Sequence, residues 1–97
     1  MKVKNVKVSL PVFFTEEDGM VSAHTPALDI ATCGKNEEEA RKNFHDLVET
    51  FLEELLKMGT IEQVFLECGW KKIEQTKTWQ PPKIKSDSEE IIFLCPA

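Results

Sequence analysis

The sequence predicts an α+β domain, with an antiparallel sheet of three to five strands, one long helix packed on one face and a short second helix. Two patterns carry that prediction. Val6, Val8, Leu10, Val12 and Phe14 recur at every second position, the period of a strand with one buried face. Ala40, Phe44, Leu47, Val48, Phe51, Leu52, Leu55 and Leu56 recur at helical spacing, in a run bracketed by Asn36 and Gly59. Strands that precede helices place those helices on one side of an antiparallel sheet. The predicted order is β-β-β-α-α-(β)-β.

Lys7, Ser9 and Pro11 fill the polar gaps of the first strand. Pro11 has no N–H for a ladder, so it marks an edge strand or a bulge. The alternation stops at Thr15-Glu16-Glu17-Asp18-Gly19, where Asp18-Gly19 is a hairpin signal. The second strand runs from Met20 to His24, with Val21 and Ala23 on one face. Thr25-Pro26 interrupts it. A third extended segment is expected from Ala27 to Cys33, with Leu28 and Ile30 on one face and Gly34 closing it.

Asn36 occupies the N-cap position and Glu39 the third helical position, a capping box with asparagine as the cap. Glu37, Glu38 and Glu39 suit the positive end of the helix dipole. Glu38 with Lys42 and Glu53 with Lys57 are expected i,i+4 ion pairs. Gly59 ends a helix of about six turns at about 3.6 residues per turn. Thr60 caps a short second helix, with Gln63 as its box partner, Ile61, Val64, Phe65 and Leu66 as its apolar face and Gly69 as its end. Trp70 to Trp79 reads either as a Lys-rich extended strand or as a loop. Pro81-Pro82 through Glu90 reads as a loop. Ile91-Ile92-Phe93-Leu94-Cys95 reads as a short apolar strand ending at Pro96.

The 97 residues are expected to form a single domain, 1–97, whose core is small enough for a partner or a second copy to complete it. The formal charge of −5 is unlike that of a free-standing nucleic-acid binder and suits a partner with a basic surface. Cys33, Cys68 and Cys95 are odd in number and form no CxxC or Cys/His spacing, so buried free thiols in a reducing cytosol are expected, without a disulfide framework or a zinc site. No apolar run reaches the roughly 20 residues that span a bilayer. The N-terminal MKVKNVKV alternates, as a strand does and a signal peptide does not. A cytoplasmic location is expected.

Chemistry-bearing candidates are few. Cys33 precedes a helix N-terminus, where a thiolate can be stabilised, and His24 and His45 are the available bases; no oxyanion-hole motif accompanies them. Glu37-Glu38-Glu39 is explained by the helix dipole, since neighbouring helical residues point in different directions and do not share one ion. Trp70, Lys71, Lys72, Lys77 and Trp79 interleave aromatics with cations, a pattern that stacks on single-stranded nucleic acid or simply packs its tryptophans. Glu16, Glu17 and Asp18 form an anionic turn suited to a basic partner. The expectation is a non-enzymatic binding module without cofactor or metal. A nucleic-acid module using segment 70–79 is the alternative.

The strand, the Glu17-Asp18-Gly19 turn, the short strand with Ala23, Pro26-Ala27-Leu28 and Gly34-Lys35-Asn36-Glu37-Glu38-Glu39-Ala40 follow one another with little slack. This order resembles the HicB-like antitoxin family, whose pattern is a Gly-Tyr-x-Ala strand, a Pro-x-Leu segment and a Gly-Asp-Thr-x-Glu-Glu-Ala helix start. Gly19, Ala23, Pro26, Leu28, Gly34, Glu38, Glu39 and Ala40 match, and the likeness covers about the first 58 residues. Lys35-Asn36 stands in place of Asp-Thr and keeps a cap, and Asp29-Ile30-Ala31 replaces a Pro-Gly-Cys region. Residues 60–97 resemble the compact end of short, stand-alone members without an evident DNA-binding domain. The resemblance implies a β3-α-β core related to RNase H-like or double-stranded-RNA-binding-like arrangements. It also implies a partner, a small basic HicA-type toxin that cleaves mRNA and whose catalytic surface the antitoxin covers. A homodimer or higher oligomer is expected from the edge strand and thin core.

Overall fold

The computed structural model describes residues 8–76 and 78–96. The architecture is α+β. Strands β1 (Phe13–Glu17), β2 (Met20–Thr25) and β3 (Ile30–Gly34) form an antiparallel sheet in that spatial order. Helix α1 (Glu37–Met58) packs on one face of it, α2 (Ile61–Glu67) follows, and β4 (Lys71–Ile73) and β5 (Thr78–Gln80) form a separate antiparallel hairpin.

The β1–β2 register pairs Phe13 with His24 and Glu17 with Met20, leaving Asp18-Gly19 as a two-residue loop. Both loop residues have positive φ, 51° and 78°, as a type I′ turn requires. Val21 and Ala23 alternate into the core along β2, as their spacing predicts, and Thr25, expected to interrupt the strand, instead continues it as a third buried position. The first strand is shorter than its alternation. β2 ends at Thr25, and residues 8–12, Pro11 among them, lie outside the β1–β2 ladder and have no ladder partner among the described residues. Val8, Leu10 and Val12 nonetheless keep their apolar side toward the core. Val6 and Lys7 lie outside the described residues.

The third strand starts at Ile30, not Ala27, because Pro26–Asp29 is a turn with Asp29 at φ 54°. Ala27 and Leu28 are buried by that turn, and not as alternating strand residues. Gly34 ends β3 against the first turn of α1, where it lies against the backbone of Ala40.

The Glu39 N–H donates to Asn36 Oδ1 at 2.8 Å, which confirms the cap. The return bond differs from a standard box: Glu39 Oε1 accepts from the Lys35 N–H at 3.3 Å, one residue earlier than expected. Removing the cap in Asn36→Ala is expected to lower stability by about 1 kcal/mol, read as a shift in urea midpoint. Ala40, Phe44, Val48 and Leu55 are buried, with Phe51 and Leu52 packed beside them. Leu47 and Leu56 are exposed, so the stripe is narrower than its sequence pattern. The expected ion pairs are each displaced by one residue: Glu37 meets Arg41 at 3.5 Å and Glu54 meets Lys57 at 3.7 Å.

Both helices end in the same way. Thr60 N–H donates to the Leu55 carbonyl and Gly59 N–H to that of Leu56; Trp70 N–H donates to Phe65 and Gly69 N–H to Leu66. These are two Schellman turns, each with a left-handed glycine. In the second, the residues joined by the outer bond also stack, Phe65 on Trp70, with ring centroids 4.3 Å apart and an interplanar angle of 9°. The expected Thr60–Gln63 box does not form. Thr60 Oγ1 is buried without a partner among the described residues, and Gln63 bonds to Glu67. Leu66 is exposed, leaving Phe65 as the buried anchor of α2.

Segment 70–79 is neither a single strand nor a loop but the start and body of the β4–β5 hairpin, in register Lys71–Gln80, Lys72–Trp79 and Ile73–Thr78. The β3-α-β expectation is met only up to α1, since no strand after the helix joins the three-stranded sheet among the described residues. Residues 81–90 have no regular structure, as expected. Ile91–Cys95 is not assigned as a strand: it has no ladder partner among the described residues, and its side chains are exposed. The cysteines are free, but Cys33 and Cys95 are exposed and Cys68 is half-buried, so the expected burial of the thiols does not hold. Among the described residues no helix is long and apolar enough to cross a membrane.

Candidate protein-binding surface

The hairpin tip and the start of α1 are brought together by the close approach of Gly34 to the helix backbone. Between them lies an open cleft of about 480 Å³, lined by Glu16, Glu17, Asp18, Met20, Lys35 and Glu37 together with the turn and cap backbone. Four carboxylates and one ammonium face this space, so the cleft is net anionic. Glu39 is turned away into the cap, and Glu37 is shared with Arg41. Met20 is 43% exposed and supplies an apolar floor.

The three tip residues named from sequence are therefore exposed and adjacent, and the structure adds Lys35, Glu37 and Met20 to them. Met20 was legible in principle from the two-residue period of β2, which sets it opposite in face to Val21. Lys35 and Glu37 were not, because their proximity to the tip depends on how closely β3 and α1 pack. Anionic surfaces of this kind favour the approach of positively charged groups through their field. It contains no paired acid and base held in a dry pocket.

The Lys/Trp segment is arranged differently. Trp70 is 2% exposed, stacked on Phe65, and its indole N–H donates to the Ala27 carbonyl at 2.8 Å. It is a core residue and presents no free face to a base. Trp79 is half-buried and meets Phe65 edge-on at 5.3 Å. Lys72 pairs with Glu62 at 3.3 Å and lies 5.9 Å from the Trp79 ring centroid. Lys71 is exposed. Lys77 lies outside the described residues.

His24 and Cys33 share the open sheet face as diagonal neighbours across β2 and β3, a relation that separates side chains by about 7–8 Å. His24 is turned to Asp29, at 3.6 Å, and the Cys33 carbonyl accepts from Asn43 Nδ2 at 2.9 Å. His45 is exposed on α1 and edge-on to Phe44. Among the described residues no cluster of three or more His, Cys, Asp or Glu side chains is arranged to hold a metal ion. Compared with known protein families, curated proteins and solved structures, the chain matches none.

Proposed function

We propose that this chain is a non-enzymatic protein-binding module of the HicB-like antitoxin kind, which neutralises a small basic RNase toxin of the HicA type in the cytoplasm. The observation that carries the reading is the anionic cleft between the hairpin tip and the start of α1. Three of its acidic groups lie at the hairpin tip, Glu16 and Glu17 at the end of β1 and Asp18 in the two-residue loop, so the backbone holds them close together in sequence and space. A cationic catalytic surface, such as one that grips RNA phosphates, is the complementary partner. The likeness of the Gly19-to-Ala40 segment to the family's pattern supports the same reading.

Co-expression with a small basic protein encoded by an adjoining gene, or with a HicA-type toxin, tests it. The pair is expected to co-purify, and growth arrest by the basic protein is expected to be relieved. Reversing the tip charges together, in Glu16→Lys, Glu17→Lys and Asp18→Lys, is expected to weaken the complex at least about tenfold while leaving the helical signal unchanged. Unchanged affinity would remove the tip as the contact surface. A neighbour that is neither bound nor neutralised would remove the antitoxin reading itself.

A further inference from the structure

We draw no further inference here: the strongest candidate, the outward face of the three-stranded sheet, where Phe13, Met20, Ala31 and Cys33 are exposed, carries none, because nothing in the structure shows what covers it.

Discussion

Gly34→Ala is expected to destabilise the domain by about 3 kcal/mol, although the change adds a single methyl group. An ideal Cβ at this position would lie 2.4 Å from the Ala40 nitrogen, 2.8 Å from the Glu39 carbonyl carbon and 2.9 Å from the Ala40 Cα. Every one of these atoms is backbone of the first turn of α1, so no side chain can rotate aside. The helix would have to lift from β3, loosening the Ala40, Phe44 and Val48 face that it buries. A loss of that size removes a large share of the roughly 5–15 kcal/mol typical of a domain. Urea unfolding followed by circular dichroism measures it. The companion change Ala40→Gly is not expected to rescue Gly34→Ala, because the clash is with backbone atoms that it leaves in place. Rescue, or a Gly34→Ala variant as stable as the parent, would show that the close approach is misassigned.

The second large effect is expected at Trp70. Trp70→Ala removes a nearly fully buried indole, its stack on Phe65 and its bond to Ala27, and a cost of about 4 kcal/mol is expected. Trp70→Phe keeps an aromatic on Phe65 but leaves the Ala27 carbonyl without its donor, for a cost of about 1–2 kcal/mol. The graded series separates packing from the hydrogen bond. Trp79→Phe, at a half-buried edge position, is expected to cost less than Trp70→Ala. An equal loss at the two tryptophans in urea midpoint would contradict the role of Trp70 as the anchor. The Trp70–Ala27 bond joins residues 43 apart in sequence and ties the start of the second hairpin to the turn between β2 and β3.

The elements most legible in the sequence were those defined by local physics. Asp18-Gly19 makes its turn because both residues accept left-handed backbone. Asn36 caps α1 through a bond to a residue three positions away. The inward face of β2 follows from its alternation. Elements that needed a distant partner were less legible. Residues 8–12 and 91–95 have strand-like side chains, but a strand exists only where another strand lies alongside, and pattern does not show that. Thr60 has a capping side chain, yet its φ of −111° and ψ of 5° do not place the hydroxyl against the α2 N–H groups. The ion pairs on α1 moved by one residue because exposed, flexible side chains choose among several neighbours of nearly equal energy.

The candidate site divides in the same way. The acidic tip could be read directly, because a two-residue hairpin turn exposes its flanks. Trp70 could not be told from a stacking platform, since the signal was a tryptophan near lysines. Only the long-range bond to Ala27 and the stack on Phe65 identify it as core. Lys72 likewise looked free in sequence, and its pairing with Glu62 spans from α2 to β4.

The solvated run Ile91–Cys95 also bears on how this chain behaves when concentrated. Five consecutive residues without charge, rich in β-formers, are the composition from which intermolecular cross-β stacks grow. Asp87, Glu89 and Glu90 stand immediately ahead of them and Pro96 immediately after. Those flanking residues act as gatekeepers: like charges keep neighbouring chains apart, and proline stops a ladder from extending. Neutralising the three acids would leave every core contact in place and is expected to raise the chain's tendency to stack into fibres when concentrated.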